Sequence, residues 1–152
     1  LTNVSAPYIL ARATAYDAIK EYRKALADYN TYDTLMYGRA SAEFYYTRYR
    51  CELNIRQYQQ ALNDIAHAAY INPQEPLYLA EMASLELRVN RLDEAVNAAD
   101  FCLKISPDNT DALIIKGVAL AKSGKKAEGM ECLKKADELG DERAKEMMEK
   151  YK

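Results

Sequence analysis

Residues 42–75 read AEFYYTRYRCELNIRQYQQALNDIAHAAYINPQE, residues 76–109 read PLYLAEMASLELRVNRLDEAVNAADFCLKISPDN, and the two segments align end to end without a gap. Tyr58 falls over Leu92, Ala61 over Ala95, Ala68 over Cys102, Ile71 over Ile105 and Pro73 over Pro107. A fixed period of 34 residues marks one supersecondary unit used repeatedly, each copy too small to bury its apolar face alone.

Carried forward, the period gives a copy over residues 110–143, with Leu113, Gly117, Leu120, Gly124, Gly129, Leu133 and Ala136 in register. Carried backward, it gives a copy over residues 6–41, where Ala13, Tyr16, Tyr22, Ala25 and Tyr29 fall over Tyr49, Glu52, Tyr58, Ala61 and Ile65. The small residues Ala25, Ala61, Ala95 and Gly129 mark the same place in four units, in steps of 36, 34 and 34. The two extra residues belong near residues 36–41, where Gly38 and Ser41 read as turn.

Each unit reads as two helices. Leu79, Met82, Ala83, Leu85 and Glu86 recur at spacings of three and four, and Leu92, Ala95, Val96 and Ala99 do the same after an interruption at Asn90. Asn90 and Gly124 tolerate the left-handed conformation that ends a helix, and Lys20 and Arg56 hold that place in the first two units at a modest cost. Pro73 and Pro107 close the second helix, because a proline pushes its predecessor out of helical geometry. Ser5, ahead of Pro7, and Asn109-Thr110-Asp111 mark helix starts.

The chain resembles the tetratricopeptide-repeat (TPR) family, whose unit is written W-x2-L-G-x2-Y…A-x3-F…P. The matching segments are Ile9-x2-Arg12-Ala13-x2-Tyr16, Tyr45-x2-Arg48-Tyr49-x2-Glu52, Leu79-x2-Met82-Ala83-x2-Glu86 and Leu113-x2-Lys116-Gly117-x2-Leu120. The second-helix matches are Ala25-x3-Tyr29, Ala61-x3-Ile65, Ala95-x3-Ala99 and Gly129-x3-Leu133. The resemblance implies an all-α fold, a right-handed superhelix (solenoid) of antiparallel helix pairs, in a single array of four repeats at about 6–41, 42–75, 76–109 and 110–143. It also implies a radius of gyration above the roughly 15 Å of a compact globule of this length. Departures are the missing tryptophan, the missing closing proline in the first and fourth units, and Tyr49 where the family has a tiny residue. A phenol there needs room, which Ala66, Ala68 and Ala69 could supply in a wider helix pair.

A charged segment follows. Asp141 can cap it, and Ala144, Met147, Met148 and Tyr151 form an apolar stripe, so residues of about 141–151 read as a capping helix. Nothing comparable precedes Ala6, and the chain opens with Leu1 rather than Met. The expectation is a piece of a longer, bacterial-type TPR protein with more repeats upstream.

Composition excludes several functions. With 49% apolar and 29% charged residues the chain can bury a core, and its net charge of −2 gives no general pull towards nucleic acid or an anionic membrane. No apolar run is long enough to span a bilayer. Cys51, Cys102 and Cys132 are far apart at helical-periodic positions and read as small buried hydrophobes. That favours a reducing compartment such as the cytoplasm, with the periplasm open if a signal sequence has been removed. The single histidine, His67, reads as an outer-face residue with no ligand partner at zinc spacing, and the five glycines form no phosphate loop. No enzyme activity, catalytic residue, cofactor or metal is expected.

What remains is a binding surface. In this family the first helices line a concave groove that takes peptides or extended protein segments. Helical spacing puts Leu10, Thr14, Glu43, Tyr46, Thr47, Arg50, Leu77, Ala80, Glu81, Ser84, Asp111, Ile114, Ile115 and Val118 on that face. The expected function is a non-catalytic protein–protein interaction module. Tyr46, Arg50, Glu81 and Ser84 would orient the ligand and the isoleucines would anchor it, unless the terminal helix covers them through Met147 or Met148. The alternative is a structural end segment or self-association module. Twelve of the thirteen tyrosines precede Leu79, and Tyr8, Tyr32, Tyr37, Tyr46 and Tyr78 are the ones packing does not claim, so a homo-oligomer would form through that face.

Overall fold

The computed structural model describes residues 5–152. Among these the elements are all α-helical, and they fall into two compact units that divide between Asn72 and Pro73. The first holds α1 (Ala6–Ala18), α2 (Tyr22–Leu35), α3 (Ala42–Asn54) and α4 (Tyr58–Ile71). The second holds α5 (Pro76–Arg88), α6 (Leu92–Ile105), α7 (Thr110–Lys122), α8 (Lys126–Glu138) and α9 (Arg143–Lys150). Within each unit consecutive helices pack as pairs: α1 with α2, α3 with α4, α5 with α6, and α7 with α8.

The hairpin turns are all built the same way. Lys20, Arg56, Asn90 and Gly124 have φ of 63°, 61°, 64° and 92°. The amide that follows each one reaches back to the carbonyl five residues earlier, from Glu21 to Tyr16 and Gln57 to Glu52 at 2.9 Å, and from Arg91 to Glu86 and Lys125 to Leu120 at 2.8 Å. The positive-φ residue donates to the carbonyl three residues before it, at 2.9–3.2 Å, completing the Schellman closure that satisfies the last carbonyls of a helix. Between α2 and α3 the longer connection turns through Tyr37 (φ 54°) and Gly38 (φ 69°), and Ser41 Oγ then accepts from the Phe44 amide at 3.2 Å. The inserted residues lie where the sequence put them. Asn72 and Ser106 leave helical geometry (ψ 79° and 85°) ahead of Pro73 and Pro107.

The cores follow the repeat positions. Ala13, Ala25, Ala61, Ala83 and Ala95 are fully buried, as are Ile65 and Leu133, and each of those two larger side chains contributes about 1.5–3 kcal/mol by burial. Gly117 and Gly129 lie against each other, each carbonyl oxygen within 3 Å of where the other's Cβ would be. Tyr49, at the place of Ala13, Ala83 and Gly117, is 1% exposed and its ring stacks on Tyr46 at 5.9 Å. Cys51 and Cys102 are buried and Cys132 is partly so, all three free. In the second unit Asp141 Oδ1 accepts from the Arg143 amide at 3.1 Å, starting α9, and Ala144 buries against Leu113 and Ala136.

Candidate functional site

A groove of about 700 Å³ in the second unit is lined by Glu75, Pro76, Leu77, Ala80, Glu81 and Ser84 on one side, and by Ser106, Asn109, Asp111, Ile114, Ile115 and Arg143 on the other. The helical period makes one wall: Leu77, Ala80, Glu81 and Ser84 are spaced three, one and three apart along α5. Asp111, Ile114 and Ile115 repeat that spacing on α7. Both helix starts at the groove are capped by side chains. Glu75 Oε1 accepts from the Leu77 amide at 3.2 Å, and Asn109 Oδ1 from the Ala112 amide at 3.0 Å.

Arg143, from α9, stands at the groove and is held from two sides. Its Nη2 donates to Asp111 Oδ1 and to Asp141 Oδ2, both at 2.6 Å, and its Nε donates to Asp141 Oδ1 at 2.9 Å. The hydrogen bonds from Arg143 hold the Asp141 carboxyl well below the usual carboxylate range.

Seven of the residues expected on the binding face therefore meet in one groove: Leu77, Ala80, Glu81, Ser84, Asp111, Ile114 and Ile115. Val118 does not join them. It is 7% exposed, because α7 packs against α5, α6, α8 and α9 and is buried almost all round in its second half. Ile114 is partly buried and packs against the cluster of Leu113, Ala136 and Ala144. Ile115 is partly buried and lines the groove.

In the first unit the expected residues are more dispersed. Thr14 and Arg50 share a cleft of about 330 Å³ with Asp17, Lys20, Tyr22 and Asn54. Thr14 and Thr47 turn their hydroxyls onto their own helices, bonding the carbonyls of Leu10 at 2.9 Å and Glu43 at 2.8 Å. Glu43 and Arg50 are exposed, Leu10 and Tyr46 partly buried. Of the uncommitted tyrosines, Tyr8 and Tyr37 are open to solvent, Tyr32 packs on Phe44 at 5.0 Å, and Tyr78 is buried. His67 differs from expectation: it is partly buried, its imidazole stacked 4.0 Å from the ring of Tyr45, whose hydroxyl donates to Asp33 at 3.0 Å.

A second polar cluster went unread in the sequence. Arg48 donates from Nε and Nη2 to the two oxygens of Asp64, at 2.7 and 2.8 Å, and its Nη1 lies 2.9 Å from Asp33. Arg12 grips Asp28 in the same two-pronged way, both bonds at 2.7 Å. Burial works against the Arg48 charge, but Asp64 and Asp33 overcome it and raise its pKa. Beside them Glu52 is buried with Oε2 unpaired. Desolvation and the adjacent Asp64 push its pKa up, against the lowering effect of Arg48. The signal was present in the alignment: Arg12 and Arg48 share one repeat position, and Asp28 and Asp64 share another.

Among the described residues no group of three or more His, Cys, Asp or Glu side chains could hold a metal, and no helix is long and apolar enough to cross a membrane. The chain matches no protein-family model, and no curated protein matches it by sequence. Solved structures do resemble it. YrrB, described as a TPR protein with an unusual peptide-binding site, superposes with a TM-score of 0.84 at 19% identity, over 96% of this chain and 75% of YrrB. The fold is that of the tetratricopeptide repeat. MamA superposes on this TPR fold with a TM-score of 0.79 at 22% identity, over 93% of this chain and 81% of its own. A fragment of MamA from Desulfovibrio magneticus RS-1 gives 0.83 at 14% identity, over 96% and 82%. Identities this low establish the fold alone.

Proposed function

We propose that this chain is a non-catalytic protein-interaction module and that the groove of its second unit holds a short segment of a partner protein. The observation that carries the reading is the groove itself. A volume of about 700 Å³ falls within the range that ligand sites occupy, and aliphatic Leu77, Ile114 and Ile115 line it among the polar Glu81, Ser84 and Asp111. Apolar anchors within a polar rim are the arrangement that gives a peptide both affinity and register. The likeness to YrrB, a peptide-binding protein of the same fold, supports it.

The test is a panel of peptides selected from a random display library on the intact chain, measured by fluorescence anisotropy. Ile115→Asp and Ser84→Trp should each abolish binding, the first by placing a charge at the anchor and the second by filling the groove from an exposed position on α5. Binding unchanged in both variants would show that the segment sits elsewhere.

Exposure of Tyr8 (54%) and Tyr37 (83%) favours a second role, self-association through the first unit. Light scattering on the Tyr8→Ser and Tyr37→Ser variants decides it: a concentration-dependent dimer that both abolish supports the role, and a monomer at every concentration rules it out.

A further inference from the structure

We infer that the groove of the second unit selects a basic segment, one with aliphatic or aromatic side chains flanked by lysine or arginine, and rejects acidic ones. The inference rests on the groove being the binding site and adds the charge of what enters it. Three carboxylates line the groove, Glu75, Glu81 and Asp111, against one cation, Arg143. That cation is already engaged: its guanidinium spans Asp111 and Asp141 with contacts of 2.6–2.9 Å. To hold a ligand carboxylate it would have to leave two partners that together bring more negative charge than it carries.

The two helix starts at the groove offer an anion no better foothold. A free helix N-terminus attracts negative charge through its unpaired amides. Here Glu75 places its own carboxylate on the α5 start through the Leu77 amide, and Asn109 occupies the Ala112 amide at the start of α7, with Asp111 in its first turn. Both positive ends are taken by side chains of the chain itself. The lining is therefore net acidic although the whole chain carries only −2, and a lysine or arginine beside an apolar anchor on Leu77 and Ile115 finds complementary charge.

The experiment uses the intact chain and a random-peptide phage library, with depletion on the Ser84→Trp variant so that only groove-dependent binders are kept. The expected pool carries more Lys and Arg than Asp and Glu, together with at least one aliphatic or aromatic residue per peptide. For its strongest member, the isosteric pair Glu75→Gln with Glu81→Gln, which keeps both side chains able to accept hydrogen bonds, should weaken binding roughly fivefold. Raising salt until the Debye length falls from about 10 Å to about 3 Å should weaken it similarly. Circular dichroism on each variant confirms the helical fold. A groove-dependent pool that is neutral or acidic, or whose affinity ignores the glutamine pair, overturns the charge preference and leaves the groove as the site. A pool that survives depletion on Ser84→Trp and binds Ile115→Asp equally well overturns both. A chain that dimerises through the groove, broken by Ile115→Asp, replaces the basic segment with a second copy.

Discussion

Arg48 and Asp64 are joined by two parallel hydrogen bonds of 2.7 and 2.8 Å across the α3–α4 pair, with side chains only 11% and 7% exposed. One repeat later the same two positions are Met82 and Ala98. The repeat thus carries an ionic pair at these two positions in one unit and apolar residues in the next. A buried pair is costly to break and cheap to replace as a unit, because a lone buried charge keeps its desolvation penalty without its partner.

Asp64→Ala alone should therefore destabilise the chain by about 3–5 kcal/mol. Arg48→Met combined with Asp64→Ala, which copies the following repeat, should recover at least half of that loss. Urea denaturation of the single and double variants measures it. Asp28→Ala, whose partner Arg12 is 43% exposed, should cost about 1 kcal/mol or less.

The glycine crossing of α7 and α8 makes a different prediction. A Cβ on Gly129 would sit 2.5 Å from the Gly117 carbonyl oxygen and 3.0 Å from the Ala121 amide, both backbone atoms that cannot swing away. Gly129→Ala should cost about 1–3 kcal/mol despite alanine's better helix propensity. Gly117→Ala meets the Gly129 carbonyl oxygen and the Cγ of buried Leu133, both at 2.8 Å, and should cost a similar amount. Thermal melts of the two variants measure both.

The turn residues predict a gain. Arg56 holds φ 61° with a side chain that has no need of that conformation. Arg56→Gly should stabilise by about 0.5–1 kcal/mol, because glycine removes the left-handed penalty while giving back some unfolded-state entropy. The same denaturation assay reads it, and an unchanged or lower midpoint would count against the strain.

Glu86 sets a pH dependence. Burial first, and then Glu94 nearby, push its pKa from 4.5 up to about 7, against the lowering effect of Arg91. Between those values the folded chain holds a proton that the unfolded chain has released. This contribution to stability is thus greatest below pH 4.5 and declines as pH rises through about 7. Glu86→Gln should raise stability near pH 8 by about 1–2 kcal/mol, discounted for partial exposure, and change little near pH 4.5. Melts across pH on both proteins test the sign. Asp141 works in reverse: its stabilisation is present above the ordinary aspartate value and is lost in acid.

The period made the helices and their ends legible, because left-handed residues at Lys20, Arg56, Asn90 and Gly124 and prolines at 73 and 107 act locally. It also brought out most of the groove, since Leu77, Glu81, Ser84, Asp111, Ile114 and Ile115 follow from helical spacing alone. Val118 escaped because burial on α7 depends on how many neighbours surround the helix, which spacing does not record. His67 escaped because its ring contact with Tyr45 lies across a helix pair. Arg12 and Arg48 stand where the repeat consensus has leucine, and spacing alone assigns them no partner. Their partners are sixteen residues away, and only the paired reading of both positions exposes the bond.

The most direct test of the groove is methyl NMR of the intact chain, with isoleucine and leucine methyls labelled and a selected peptide titrated in. The account predicts shifts concentrated at Leu77, Ile114 and Ile115, with Ile9, Leu26 and Ile65 of the first unit unmoved. Shifts centred on the first unit, with Ile115 silent at saturation, would contradict it.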